Sequence, residues 1–200
     1  MKIFAVADNY PIKGKGLLHS HPVVFTKADS ALLKGGRPFF LPDELGRVDC
    51  GVSLVVRLCR LGKSIPERFA HRYNDAVTCG VDFTAVELLE KYKQQGLPWE
   101  LCKGFDGAAV IGEWIPVAQI ENVGDLHLHL DINGQTVQQA HTAQMLHHVD
   151  SLVAYISRYF TIRTGDLLFT GSPCETAPVA INDHIDGYLN DNKVMGFNVK

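Results

Sequence analysis

Histidine and cysteine side chains are among those that can bind a transition metal or act as nucleophiles. His127 and His129 alternate along one stretch and therefore share a strand face, with His147 and His148 further along the chain. A zinc site needs three or four converging ligands with satisfied outer partners, whereas His-x-His on an alternating strand is typical of a half-solvated face. We therefore interpret these histidines as surface residues.

The cysteines show no spacing that indicates a metal or redox site. They are widely spaced, odd in number and contain no Cys-x-x-Cys pair: Cys50, Cys59, Cys79, Cys102 and Cys174. A thiol nucleophile among them would need a histidine partner at a recognisable spacing, and none is evident. We expect reduced, mostly buried thiols.

The positions of two aspartates, Asp49 and Asp82, can be predicted from the surrounding sequence pattern. The run from Val48 to Leu58 is the clearest central strand, and Asp49 and Gly51 lie on one of its faces because strand side chains alternate. Asp82 stands at the entrance of a helix predicted over residues 84–95, where a carboxylate is suited to cap exposed N–H groups. The local interpretation of Asp82 is therefore an N-cap.

Short strands between turn signals make up most of the remaining pattern, with one further helix. The helix is predicted over residues 149–160, and the strands lie in residues 1–8, 21–27, 125–138 with a hairpin turn at Asn133-Gly134, and 164–173. We expect Lys27, which ends the second of these strands, to emerge toward polar surroundings. The pattern predicts one compact α+β domain over residues 1–200 with a predominantly antiparallel sheet.

Composition limits the classes of partner. A chain of 200 residues with 46% hydrophobic content is long enough for one domain with a real core. Charged residues make up 20% and the net charge is -3, which excludes the basic field that nucleic-acid binding needs. The chain has no run of eighteen apolar residues, and its N-terminus lacks the pattern of a signal peptide. We expect a cytoplasmic protein with small-molecule or protein partners and no membrane association.

Five phrases of the sequence, taken together, resemble the fumarylacetoacetate hydrolase family. The longest, residues 82–107, is similar to the family's Asp-x-Thr/Ser-Ala-Arg helix, Gly-x-Pro-Trp turn and lysine-containing loop. The others are Asn9-Tyr10, residues 22–27, Asn133-Gly134 with Gln138, and residues 164–173. Their order and spacing agree over nearly the whole chain. The layout resembles most closely the group of acylpyruvases, oxaloacetate decarboxylases and 2-hydroxyhepta-2,4-diene-1,7-dioate isomerases.

This resemblance implies a mixed β-roll of stacked, mostly antiparallel sheets with few short helices, usually as a homodimer. It also implies Mg²⁺ or Mn²⁺ as cofactor and a 2-oxo or enol acid as substrate. In the family's hydrolase, isomerase and decarboxylase reactions, a hard cation held by carboxylates stabilises the enolate as negative charge develops. By the same resemblance Asp82 is a metal ligand, Lys103 is catalytic, and Thr170 with Gly171 receives a carboxylate or oxo group of the substrate.

The chain departs from the family at several of these positions. The two metal-binding glutamates of the family match Gly51 and Ser53, while its helix arginine and glutamine match Val86 and Leu89. Asp49 could supply a shifted carboxylate from the same strand face, but it lies about 6.6 Å from position 51, so it would require a moved metal or a changed register. The sequence thus predicts a depleted metal site in which Asp82 and Asp49 are the candidate ligands.

The general base is not defined by the sequence. The histidine and glutamate that form it in several family members match Lys13 and Gly16, and His19 or His21 could compensate. Two hypotheses remain open: a metal-dependent enzyme acting on 2-oxo or enol acids, and a relative that binds a small acid or a protein partner without metal or catalysis.

Overall fold

The computed structural model describes residues 1–11, 20–34, 36–173 and 176–200. Within these residues thirteen β-strands form two sheets, and three α-helices lie in the connections between strands. The strands are β1 (Ile3–Ala7), β2 (Val23–Lys27), β3 (Leu32–Lys34), β4 (Val48–Leu58), β5 (Asn74–Ala85), β6 (Ala109–Ile111), β7 (Ile115–Pro116), β8 (His127–Ile132), β9 (Gln135–His141), β10 (Leu167–Phe169), β11 (Ala177–Pro178), β12 (His184–Leu189) and β13 (Asn192–Asn198). The helices are α1 (Val86–Gln95), α2 (Glu100–Lys103) and α3 (Val149–Tyr159).

The larger sheet has nine strands and the smaller has four. The strand order of the larger sheet is β2-β1-β10-β4-β5-β6-β3, with β11 paired to β4 and β7 paired to β5, and that of the smaller sheet is β13-β12-β8-β9. The pairs β1–β10 and β3–β6 are parallel, and the other strand pairs are antiparallel. Two mostly antiparallel sheets with few helices confirm the predicted α+β fold class.

Strands β4 and β5 form the centre of the larger sheet and are almost completely buried. One face of this pair joins the smaller sheet in the main hydrophobic core. There the ring of Phe83 stacks on Phe39 with centroids 4.0 Å apart and meets Phe197 edge-on at 6.2 Å. On the opposite face Gly51 and Asp82 lie directly across from each other in the ladder. The alternation of strand side chains therefore separates the core from the candidate site.

Two expectations about local structure were wrong. Asp82 is not an N-cap: it lies within β5, and α1 begins after Ala85, which makes no side-chain cap. The ladder with β4 continues to Ala85, and the N–H of Val86 donates to the carbonyl of Arg47 at 3.1 Å, so tertiary pairing overrides the local capping preference. Lys27 does not emerge toward solvent, since only 4% of it is exposed.

Other elements follow the sequence closely. Asn133 and Gly134 have φ angles of 53° and 78°, as a two-residue hairpin turn of the predicted kind requires, and they join β8 to β9. The predicted second helix is α3, whose aliphatic side chains are buried. None of the helices in the described part of the chain is long and apolar enough to cross a membrane.

Candidate functional site

A cavity of about 350 Å³ opens on the face of β4 and β5 that carries Gly51 and Asp82. Thr84 of β5, Lys103 of α2 and Trp99 also line this cavity, and residues 6–8 at the end of β1 and Ser172 with Pro173 close its other side. Helix α1 supplies one wall with the residues that its periodicity brings to one face: Val86, Leu89, Glu90 and Lys93. The cavity thus brings together three segments identified from the sequence: the central strand β4, residues 82–107 and residues 164–173.

Asp82 is held between two lysines on this cavity's floor. Its Oδ1 accepts from Lys27 Nζ at 2.5 Å and its Oδ2 lies 2.8 Å from Lys103 Nζ. Lys27 also donates to the carbonyl of Ala108 at 2.8 Å, and Lys103 donates to Thr84 Oγ1 at 2.7 Å. The side chain of Lys27 is 0% exposed and that of Lys103 is 12% exposed. Lys27 therefore acts from behind the carboxylate, whereas Lys103 faces the cavity.

The pKa values of this cluster reflect burial and charge pairing. Burial lowers the pKa of Lys27 to about 8, a shift that Asp82 opposes and the neighbouring charge of Lys103 reinforces. Burial alone would raise the pKa of Asp82, but Lys103 and Lys27 outweigh that effect and hold the pKa below its ordinary value. Asp82 is thus a carboxylate whose negative charge is already matched by cations.

The residues present do not fit a hard divalent cation of the kind that the sequence resemblance implies. Both oxygens of Asp82 are engaged by ammonium groups, and the facing position, Gly51, has no side chain. Ser53 Oγ donates to the carbonyl of Leu54 at 3.1 Å and accepts the N–H of Gly171 at 3.2 Å. Among the described residues no group of three or more His, Cys, Asp and Glu side chains is arranged to hold a metal ion. Mg²⁺ and Mn²⁺ are held by carboxylate oxygens that are free to bind them, and the carboxylate of Asp82 is already paired with two lysines.

Asp49, the other candidate ligand, is engaged elsewhere. Arg47 binds it through two hydrogen bonds of 2.7 and 3.0 Å, and Thr176 donates to its Oδ2 at 2.8 Å. In the β4–β5 ladder Asp49 faces Thr84 rather than Asp82. Asp49 does not line the cavity, so the structure does not bring the two predicted metal ligands together.

Thr170 and Gly171 also lie behind the cavity wall. Thr170 is fully buried and its hydroxyl donates to the carbonyl of Leu54 at 3.1 Å. Gly171, at φ 103°, uses its N–H on Ser53. The next residue, Ser172, does line the cavity, and its Oγ is shielded from solvent without a hydrogen-bond partner. Of residues 170–173, Ser172 and Pro173 line the cavity, and Ser172 is the one of these two that carries a hydroxyl.

Two motif residues fix this loop against the sheet. Asn9 Nδ2 donates to the carbonyls of Thr170 and His147 at 2.8 and 3.0 Å, and its Oδ1 accepts the N–H of His147 at 2.9 Å. Gln138 accepts the N–H of Val52 at 2.5 Å and donates to the carbonyl of Pro173 at 3.1 Å. Both side chains are buried, so their visible contribution is to position residues 170–173 beside β4.

Sequence reasoning missed two groups of the site, Lys27 and Ser172. Lys27 ends an apolar strand rich in β-branched residues. A charged group in such surroundings often has a buried partner of opposite charge, and this position could have indicated that Lys27 belongs to the site. Ser172 lies inside the recognised 164–173 phrase, but only the approach of that loop to Gly51 gives it a place in the cavity.

None of the histidines and cysteines that the structure describes lines this cavity. His127 stacks on His141 with ring centroids 4.1 Å apart, and His129 stacks on Tyr188 at 4.2 Å. Burial raises the pKa of the Cys50 and Cys79 thiols to about 12, which keeps both protonated. Lys13, Gly16, His19 and Cys174 fall outside the described residues, and His21 is exposed and stacks on Tyr155 at 6.1 Å.

Comparison with known proteins gives consistent results over the whole chain. Residues 3–198 match the family described as fumarylacetoacetate (FAA) hydrolase C-terminal. The mitochondrial oxaloacetate tautomerase of Mus musculus is 32% identical over 181 residues, which cover 90% of this chain and 82% of that protein.

Solved structures give the same result for the fold. The fumarylpyruvate hydrolase of Pseudomonas aeruginosa in complex with Mn²⁺ and pyruvate superposes with a TM-score of 0.92 at 25% identity, covering 100% of this chain and 89% of that one. The 2-hydroxyhepta-2,4-diene-1,7-dioate isomerase of Mycobacterium marinum gives a TM-score of 0.86 at 27% identity, covering 99% and 73%.

Proposed function

This chain belongs to the fumarylacetoacetate hydrolase family, and we propose that it binds a small 2-oxo or enol acid without a metal ion, using Lys103 as the cation that receives the acid. The observation that carries this proposal is the pairing of one carboxylate, Asp82, with two ammonium groups, Lys27 and Lys103. With both lysines protonated the cluster has a net positive charge, and Lys103 is its member at the cavity surface.

The cavity offers the donors that a carboxylate or an enolate oxygen requires. Lys103 Nζ uses one N–H on Asp82 and one on Thr84, which leaves a third donor for a ligand. Ser172 also lines this cavity, and its buried Oγ has no hydrogen-bond partner. A charge-assisted hydrogen bond in a partly desolvated site is about twice as strong as a neutral one. A small acid therefore meets complementary groups without any cation from solution.

The substrate class follows from the relatives. The names of the similar proteins refer to oxaloacetate and fumarylpyruvate, and one of those structures contains pyruvate. We infer the same class of 2-oxo or enol acid for this chain. The metal of the family is not included in the proposal, because Gly51 and Ser53 offer no carboxylate and Asp82 is already neutralised. We infer binding without the metal-stabilised reaction.

Isothermal titration calorimetry on protein dialysed against EDTA tests the proposal. Pyruvate and oxalate are titrated first without metal and then with added Mn²⁺. We expect binding in EDTA that Mn²⁺ does not strengthen. The Lys103→Gln variant should weaken it by about 10- to 100-fold, from the loss of one charge-assisted hydrogen bond. Lys91→Gln, on an exposed part of α1, is the matched control and should leave the affinity unchanged. Binding that appears only with Mn²⁺ would overturn the proposal.

A metal-dependent enzyme of the family is the second candidate function. The 32% identity to an oxaloacetate tautomerase and the place of Asp82 in the cavity favour it. It predicts oxaloacetate tautomerisation or decarboxylation, or acylpyruvate hydrolysis, that requires Mg²⁺ or Mn²⁺ and is lost in Asp82→Ala. The calorimetric experiment separates the two candidates, because only the second needs metal for the acid to bind.

We also propose that the chain forms a homodimer, as the family resemblance implies. Size-exclusion chromatography with light scattering would give twice the chain mass of 22.1 kDa for a dimer. A mass of one chain at micromolar concentration would contradict this proposal.

A further inference from the structure

We propose that the cavity selects monocarboxylic 2-oxo or enol acids with an apolar tail over dicarboxylic acids of the same length. This inference rests on the proposed function, since it assumes that Lys103 receives the first carboxylate. It concerns the opposite wall of the cavity, which α1 provides. That wall determines what the remainder of the ligand contacts.

The wall near the floor of the cavity is apolar. Val86 and Leu89 lie one turn apart on α1, and both line the cavity with half-buried side chains. Trp99 and Pro173 add further apolar surface. None of these side chains except the indole of Trp99 carries a hydrogen-bond donor. A methyl or methylene group of a ligand would be desolvated there at no polar cost.

A second carboxylate would meet unfavourable surroundings on the same wall. Against Val86 and Leu89 it would lose water without gaining a donor, which is costly for an ionised group. Glu90, one residue further along α1, presents a charge of the same sign to the cavity. Lys93 is the remaining cation of this wall, and its ammonium lies over the Trp99 ring, 5.1 Å from the centroid. Its position at the exposed edge makes it a weak partner for a carboxylate near the floor.

The expected selectivity can be expressed as ratios of affinity. Each buried methylene contributes about a fourfold gain, from the transfer free energy of a methylene group. Lengthening pyruvate to 2-oxobutanoate and then to 2-oxopentanoate should therefore strengthen binding at each step. Replacing the terminal methyl of 2-oxopentanoate by the carboxylate of 2-oxoglutarate should weaken binding at least about tenfold, because a carboxylate would be desolvated without a partner.

Calorimetry on the EDTA-treated wild-type protein with these four acids is the test, and it needs no variant to fold. Tighter binding of 2-oxopentanoate than of both pyruvate and 2-oxoglutarate supports the inference. Equal or tighter binding of 2-oxoglutarate overturns it while leaving the proposed function intact. Failure of all four acids to bind overturns the proposed function and this inference with it.

Two variants locate the selectivity on α1. Val86→Arg places a cation on the apolar wall and should reverse the preference between 2-oxopentanoate and 2-oxoglutarate. Lys93→Gln should leave the preference unchanged if Val86 and Leu89 form the discriminating surface. Loss of the preference in Lys93→Gln, or its persistence in a folded Val86→Arg protein, would contradict the assignment.

Discussion

Replacing Asp82 by asparagine should destabilise this protein more than replacing Lys27 by methionine. Asp82→Asn leaves the ammonium of Lys27, whose side chain is 0% exposed, with neutral acceptors only and no counter-charge, and a second cation, Lys103, stays nearby. Removing one member of a buried ion pair costs about 3–5 kcal/mol. For a chain of this length that corresponds to a fall in Tm of about 6–20 °C.

Lys27→Met removes the buried cation instead. Asp82 keeps its contact with Lys103, and the unbranched methionine follows the path of the lysine stem. The losses are the hydrogen bonds from Lys27 to Asp82 Oδ1 and to the carbonyl of Ala108, so we expect a cost of about 1.5–3 kcal/mol. The double variant Lys27→Met/Asp82→Asn should be more stable than Asp82→Asn alone, because the fully buried cation is removed together with its counter-charge.

Urea unfolding at one fixed protein concentration in EDTA measures these differences, provided that the m-value is the same for all four proteins. If Asp82 served only as a metal ligand, Asp82→Asn would cost little in the metal-free protein. A loss below about 1 kcal/mol in Asp82→Asn, or a double variant as unstable as the sum of the single ones, would refute the reasoning from charge pairing.

Three further predictions concern the core, the loop and the metal. Phe39→Ala should lower the free energy of unfolding in urea by about 3–5 kcal/mol, because Phe39 stacks on Phe83 in the core. The control Phe40→Ala, at a residue 69% exposed, should change it by no more than about 0.5 kcal/mol, and similar losses in both variants would contradict the packing. Asn9→Ala should cost about 2–4 kcal/mol by the same measurement, since it leaves buried backbone groups of His147 and Thr170 without their partner, and a near-neutral result would show that Asn9 does not fix the 170–173 loop. Adding MnCl₂ at about 1 mM to the EDTA-treated protein should leave Tm unchanged, whereas a metal at a hundredfold excess over its Kd would add about 2.7 kcal/mol and raise Tm by roughly 5–11 °C.

The sequence predicted the elements whose signals are local. Alternation and β-branched residues defined β4, the Asn133-Gly134 dipeptide defined the hairpin, and helical periodicity defined α3. The family phrases also identified Gly51 and Ser53 as positions without the expected carboxylates. These features depend on residues that are close in sequence, so no knowledge of the tertiary structure was needed.

The contacts that define the site were not predictable in this way. Lys27 and Asp82 are 55 residues apart, and their meeting depends on the order of strands in the sheet. The N-cap interpretation of Asp82 was wrong because β5 continues to pair with β4 beyond Asp82, as far as Ala85. The ion pair between Asp49 and Arg47 could partly have been predicted, since the two residues are two positions apart and therefore lie on the same strand face.

The contact between Gly51 and Ser172 limits how this chain could change by single substitutions. A Cβ atom at position 51 would lie 2.7 Å from Ser172 Oγ and 3.0 Å from Ser172 Cβ, so any side chain there requires the loop residue to move. Introducing a glutamate at position 51 would also add a charge beside a carboxylate that two lysines already satisfy. A variant with a carboxylate at position 51 would therefore be strained, unless Ser172 is replaced first. The order of substitutions, and not only their identity, would decide whether a directed-evolution experiment on this scaffold could recover a metal site.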